Sequence, residues 1–305
     1  NSCGGNLEKI EKKYRRQIEK WLGKHKVPYD RLIFGKPLAD LYVDDKGMSL
    51  DEFLKSDFCE LSGNSGAKVY RAGKCVIKKC KDPQAQADWY RSARQYGVNV
   101  PETYSVVLDS LYLEYIEGLT GDKRKLEFKD IFTIISHIMF FSLIKRDDYK
   151  FRTGELHKKI TSHLEVYGKK IDFNKLLKYF ETHRMWYEAQ SSFCHGDLSL
   201  SNTIYDGTKL YLIDPIKNEN LSSYLMDLAK LRFSLDGGEE YLHGTPKTEY
   251  ENLLHIYSRL LRDRGDLKNV IALEATYWIR LIKYTDDPIK REFAVKKAKE
   301  LEAEL

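Results

Sequence analysis

Cysteine, proline and glycine are scarce in this chain, and so is net charge. Of 305 residues, 5 are cysteine, 7 proline and 19 glycine. So little glycine and proline excludes a fibrous or low-complexity chain. Cys3, Cys59, Cys75, Cys80 and Cys194 are odd in number and irregular in spacing, with no histidine pair at zinc spacing. That excludes a disulfide framework or a zinc module and reads as reduced thiols inside a cell. Basic residues exceed acidic ones by only 51 to 46, a net charge of +5. A nucleic-acid partner would call for a concentrated basic excess, so none is expected. The longest apolar run, Ile131 to Ile144, covers 14 residues and contains Ser136 and His137. It is too short to cross a bilayer and is expected as a buried core helix. With no secretory leader pattern, a cytoplasmic protein is expected. The first residue is Asn1, not methionine, and an upstream segment is expected.

What is present suits a sizeable globular chain, 42% hydrophobic and 12% aromatic, enough to bury a large core or two. Helical periodicity runs over 7–23. Short strands are expected around Leu32 and Leu41, the second ending at Asp44-Asp45, with a helix from Ser49. Strands are then expected at 60–62, 68–71 and 74–79, and a helix at 83–96 with proline in its first turn. Two more strands begin at Pro101 and end at 111–116. Beyond Gly118 the pattern is mostly helical, over 126–145, 154–167, 173–189, 222–234, 247–263, 267–284 and 288–303. One hairpin interrupts it, 203–205 with 210–213, around Asp206-Gly207. The fold class is α+β: a short α/β piece (1–55), a small strand domain (56–118) and a helical domain (119–305).

The chemistry concentrates in His195-Gly196-Asp197, Asn202 and Ile213-Asp214. A hairpin brings its two ends together, so Asn202 and Asp214 should be neighbours. Two oxygen side chains side by side suit magnesium, which keeps phosphate and water as its other ligands. Asp197, one loop away, can accept a proton from a hydroxyl, and His195 is expected to be structural. These are the parts of a phosphoryl-transfer site. Gly63-Asn64-Ser65-Gly66 forms a turn between two strands. Either it is an ordinary hairpin, or its backbone N–H groups approach phosphates. It is no Walker A motif. The Val76-Ile77-Lys78 spacing favours Lys78 over Lys79 as a phosphate-reaching lysine, since the two point to opposite faces of the strand.

Over residues 56–305 this order of motifs resembles the aminoglycoside phosphotransferase and choline kinase family, which has a protein-kinase-like two-lobe fold. The resemblance implies an ATP- and magnesium-dependent kinase acting on a small-molecule hydroxyl. It implies Asp197 as the catalytic aspartate, Asn202 and Asp214 as metal ligands, and Lys78 as the phosphate anchor. Gly63 to Gly66 would cover the phosphates, and Glu114-Tyr115-Ile116 would be the hinge that reads adenine. Asp227 resembles the aspartate that buttresses the catalytic loop. Such folds pair the strand lysine with a glutamate on the next helix. Here that helix has no glutamate, and Asp88 is the candidate.

The segment Ile204 to Leu242 is similar to phosphotransferase domains of bacterial polysaccharide-biosynthesis proteins. That implies a sugar or sugar-derivative acceptor and association with polysaccharide-biosynthesis enzymes. Lys36 with Asp44-Asp45 resembles the last motifs of a haloacid-dehalogenase phosphatase. The Asp-x-Asp nucleophile of such an enzyme occurs nowhere in the chain, so no aspartyl-phosphate can form. Two other readings stay open at this stage: a choline, ethanolamine or aminoglycoside kinase, for which Asp236, Glu239 and Glu240 would supply an acidic wall, and an inactive nucleotide-binding scaffold module.

Overall fold

The structure is a computed structural model. It describes residues 7–27, 32, 34, 59–61, 68–145, 148–165, 171–217, 220–238, 241 and 250–305. The chain divides into two units, residues 1–56 and 57–305. In the first, helix α1 spans Leu7–Lys24. Arg15 Nε donates to Glu11 at 3.0 Å and its Nη1 to Glu19 at 3.2 Å, both four residues away on one face. Lys36, Asp44, Asp45 and the helix expected from Ser49 lie outside the described residues.

The second unit opens with a five-stranded antiparallel sheet: β1 (Cys59–Leu61), β2 (Lys68–Ala72), β3 (Cys75–Lys79), β4 (Thr103–Val107) and β5 (Ser110–Glu114), in the order β1-β2-β3-β5-β4. Between β3 and β4, helix α2 spans Pro83–Gln95. The Asp82 carboxylate accepts from the Ala85 N–H at 2.9 Å, capping its first turn. Ala87, Trp89, Tyr90 and Ala93 form its buried face. The register sets Lys78 in mid-sheet, opposite Val69 of β2 and Leu111 of β5.

Leu119–Thr120 form a short strand, β6, which the hydropathy pattern does not announce. It joins β7 (Thr203–Tyr205) and β8 (Leu210–Leu212) in a second sheet of order β6-β7-β8. Gly118 lets the chain come this close. A Cβ there would sit 2.2 Å from the Tyr205 carbonyl oxygen.

The helices are α3 (Phe128–Leu143), α4 (Thr153–Glu165), α5 (Asn174–Thr182), α6 (Arg184–Ala189), α7 (Tyr224–Leu235), α8 (Glu251–Asp263), α9 (Leu267–Tyr284) and α10 (Pro288–Ala303). The single helix expected over 173–189 is two. His183 (φ −100°, ψ 14°) separates them, and its Nδ1 lies 2.9 Å from the same Tyr179 carbonyl that accepts its N–H. Such local side-chain bonding competes with the helical ladder. Among the described residues no helix is long and apolar enough to cross a membrane.

Helix α7 is the core element, buried at every residue, and α9 packs on it. A helix buried all round must satisfy its polar groups internally. Arg232 of α7 pairs with Glu274 of α9, whose side chain is fully buried. Trp278 Nε1 donates to the other Glu274 oxygen at 3.5 Å. Glu274→Ala leaves the Arg232 guanidinium buried without its counter-charge and should cost about 3–5 kcal/mol. The double variant Arg232→Met/Glu274→Leu should recover most of that loss. Urea denaturation of the three proteins measures it, and equal stability of Glu274→Ala and the parent would refute the assignment.

Candidate active site

The loop from Cys194 to Ser199 is held from beneath. Asp227, fully buried on α7, accepts from the His195 N–H at 2.6 Å and the Gly196 N–H at 2.8 Å. Burial pushes its carboxyl up to about 7, and the two N–H donors pull the other way. His195 is fully enclosed too, and burial lowers it to about 4. A neutral ring then donates from Nε2 to the Ile213 carbonyl at 2.8 Å, while Nδ1 accepts from the Asp197 N–H at 3.4 Å. His195 is therefore a strut between the loop and the end of β8, not a free base. Gly196 has φ +84°, and a Cβ there would lie 2.0 Å from the Ile216 carbonyl oxygen.

These supports aim Asp197. Its carboxylate meets the Lys230 ammonium, Oδ1 to Nζ 3.0 Å. Lys230 reaches it from α7, one turn beyond Asp227, and is only 5% exposed. Its Nζ lies 5.2 Å from the ring centroids of Phe233 and Tyr277. Burial pushes the Asp197 carboxyl up. Lys230, with smaller help from His195 and Arg280, more than offsets this and holds it below the usual carboxylate value. Asp197 is therefore ionised at neutral pH.

The Asn202 amide donates to the Asp197 carbonyl at 2.8 Å and to its Oδ2 at 3.2 Å. Across the hairpin, the Ile213 N–H donates to the Asn202 carbonyl at 3.0 Å, which puts Asp214 beside Asn202. Asp214 has φ +59°, unusual for a residue with a Cβ. Its N–H donates to the Tyr90 hydroxyl of α2 at 2.9 Å, and its carboxylate pairs with Lys78. With the Asn202 NH2 turned to Asp197, the Asn202 Oδ1 and the Asp214 carboxylate remain as two hard oxygen donors. That set fits magnesium, which takes one or two protein ligands and completes its shell with phosphate and water.

One expected placement changes. Asp88 does not meet Lys78. It sits on the exposed face of α2, accepting from Gln84 at 2.8 Å and Arg91 at 2.9 Å, and Lys78 is neutralised by Asp214 instead. The helical period turns Asp88 outward and Trp89 and Tyr90 inward, whatever its charge. Asp236 is no open acidic wall either, since Lys297 holds both its oxygens at 2.8 and 2.9 Å. Glu239, Glu240 and the turn Gly63, Asn64, Ser65, Gly66 lie outside the described residues. Lys79 is exposed at the end of β3, while Lys78 is 6% exposed. In the Glu114-Tyr115-Ile116 stretch, the Glu114 and Tyr115 N–H groups donate to the Glu102 and Lys74 carbonyls at 2.8 and 2.9 Å. Lys230 and Tyr90 were not singled out from sequence. Lys230 carried a signal: a second charge three residues after Asp227, in a helix otherwise mostly apolar.

No protein-family description matches the sequence, and no curated protein does. Solved structures do resemble it. A choline/ethanolamine kinase family protein from Mesorhizobium loti superposes with a TM-score of 0.51 at 18% identity, over 80% of this chain and 87% of that one. A choline kinase from Streptococcus pneumoniae gives 0.51 at 16%, over 81% and 93%. A thermostable mutant of an aminoglycoside phosphotransferase, solved with ADP and hygromycin B, gives 0.54 at 12%, over 83% and 96%. At these identities the likeness is one of fold. The chain has the protein-kinase-like fold, an antiparallel sheet lobe with a larger helical part.

Asp227→Asn keeps the shape of the loop's anchor but turns an NH2 toward one of the two backbone donors. An unsatisfied buried donor costs about 1–3 kcal/mol. The variant should lose that much stability in denaturant titration, and amide exchange should quicken at His195 and Gly196. Unchanged exchange at both would show that Asp227 does not hold the loop.

Proposed function

We propose that this chain is an ATP- and magnesium-dependent kinase that phosphorylates the hydroxyl of a small molecule. The observation that carries the reading is the Asp197–Lys230 pair: an ionised carboxylate, fixed in a rigid loop, one hairpin away from two metal-type oxygen donors and a buried lysine. The shared fold supports the same class. Residues 56–118 would bind the nucleotide, with Gly63 to Gly66 over the phosphates. Of the hinge residues, Ile116 would read an adenine edge, because the Glu114 and Tyr115 N–H groups are already committed within the sheet. Residues 119–305 would carry the chemistry.

Each residue then has a role set by its surroundings. Lys78 neutralises Asp214 at rest and exchanges it for nucleotide phosphates. Magnesium at Asn202 and Asp214 would supply charge neutralisation to the transferring phosphoryl group. Asp197, with its lowered pKa, is too weak a base to strip an alcohol beforehand. It orients the hydroxyl and takes its proton as the new O–P bond forms, which suits a loose transition state. Lys230 keeps that carboxylate ionised and in place, a positioning role. An inert scaffold would have no use for a buried lysine aimed at the catalytic carboxylate.

For the acceptor we favour a sugar or sugar derivative of surface-polysaccharide metabolism, in association with enzymes of that metabolism. The similarity of Ile204 to Leu242 to such phosphotransferase domains supports it. The neutralisation of Asp236 by Lys297 also supports it, because choline, ethanolamine or an aminoglycoside would need an acidic pocket. Residues 1–55 would be the tail of a phosphatase-like domain, by the likeness of Lys36 and Asp44-Asp45 to its closing motifs.

Steady-state ADP release over an acceptor panel tests the reaction. Asp197→Ala should cut kcat by about 10²–10⁴-fold and leave the KM for ATP within about threefold. Lys230→Met should lower kcat by about tenfold or more through misplacement of the carboxylate, with ATP affinity kept and partial rescue in Lys230→Arg. Full turnover by Asp197→Ala would end the kinase assignment.

A further inference from the structure

Resting on the kinase reading, we infer that the acceptor is itself an anion, and that its phosphate or carboxylate is received by Arg280 with Lys159 and Lys283 while its hydroxyl lies at Asp197. The observation is a group of cations on α4 and α9, of which Arg280 acts electrostatically on Asp197, with no acidic ion-pair partner among the described residues. Helices α4 and α9 pack on each other. From α9, Tyr277 is buried under Lys230, which is 3.0 Å from Asp197. Arg280 follows one turn later at the exposed edge, its guanidinium 5.1 Å from the Tyr284 ring centroid. Lys283 comes one turn further on the same side. From α4, Lys159 and His163 stand four residues apart on one face.

Arg280 links the two groups. Its charge acts on Asp197 on one side and on Lys159 and His163 on the other. Burial, then Lys283, Arg280 and Lys159, push His163 down to about 4. Burial and Arg280 lower Lys159 as well, while Glu155 acts weakly the other way. Glu155 is itself paired with Lys158 at 2.8 Å. Residues 275–284 of α9 contain no acid. Among the described residues, no carboxylate forms an ion pair with Arg280, Lys159 or Lys283. Like charges crowded without counter-charge raise the energy of the resting protein and lower that of a bound anion. The same cations would repel choline or an aminoglycoside, so the acceptor side is selective by repulsion as well as attraction.

The step balances without a further reactant. The acceptor hydroxyl oxygen bonds to the γ-phosphorus, and the bond from that phosphorus to the β–γ bridging oxygen breaks. The electron pair leaves with ADP, and the hydroxyl proton passes to Asp197.

The test uses the purified chain with Mg-ATP and acceptors on one scaffold: glucose 1-phosphate and glucuronate as anions, glucose as the neutral form, glucosamine and choline as cations. ADP release is measured, and thermal shifts are read with Mg-ADP bound. At least one anionic sugar should bind and turn over in preference to glucose and the cations, and which one it is separates phosphate from carboxylate. Arg280→Ala should raise the KM of that acceptor about tenfold or more while the KM for ATP stays within about twofold. The double variant Lys159→Ala/Lys283→Ala should act in the same direction. Both alter exposed side chains, so their melting temperatures should match the parent. Preference for glucose, glucosamine or choline would overturn the inference and leave the kinase intact. So would an unchanged acceptor KM in Arg280→Ala, a change confined to the KM for ATP, or no thermal shift with either anion in protein that binds Mg-ADP. No Mg-ADP binding and no ADP release with any acceptor would strike the kinase reading itself, and this inference with it.

Discussion

The site depends on one buried carboxylate. Asp227 sits inside a helix with no exposed face and grips two consecutive backbone N–H groups of the 194–199 loop. Burying a carboxyl group is costly without hydrogen-bond partners, and those two donors are its compensation. The arrangement works in both directions. The loop cannot drift without orphaning Asp227, and α7 cannot rotate without releasing the loop. The same helix then supplies Lys230 to Asp197 and Ser234 to the Leu200 N–H at 3.1 Å. One helix therefore sets the position of the loop, its charge and its exit.

A second set of bonds joins the sheet to this loop. Lys78 reaches from β3 to Asp214. Tyr90 of α2 accepts the Asp214 N–H, and Trp89 beside it donates to the Cys194 carbonyl at 2.7 Å. The Trp89 ring also stacks on Phe193 at 5.3 Å and meets His195 edge-on at 5.2 Å. Helix α2 thus touches the loop at Cys194 and Asp214 beyond β8 through aromatic side chains, while the expected carboxylate, Asp88, faces outward. Aromatic contact and directed N–H bonds join these elements without a further buried charge.

The charges form a graded series. Asp197 and Asp214 each face a buried lysine, and beyond Lys230 and the neutral Tyr277 the exposed Arg280 and Lys283 carry positive charge along α9. Asp236, the one described member of the acidic run, is paired with Lys297.

Much of this was legible beforehand. The period of apolar residues placed most helices within a few residues of their ends, and Asp206-Gly207 marked the β7–β8 hairpin. His195-Gly196-Asp197, Asn202 and Asp214 were recognisable because their spacing along the chain reflects local geometry, a loop and a hairpin. Strand β6 escaped because two residues carry no period, and the break at His183 because it hangs on one side chain. Lys230, Tyr90, the outward turn of Asp88 and the Lys297–Asp236 pair escaped for a different reason. Each depends on which face of a helix meets a residue dozens of positions away: 33 from Asp197 to Lys230, 61 from Asp236 to Lys297. By itself the sequence determined the elements and the chemical groups the chain carries, because those follow from neighbours along the chain. Only the tertiary structure decided which charge neutralises which, because that pairing is settled by burial, where a carboxylate must find a counter-charge or a donor wherever the packing offers one.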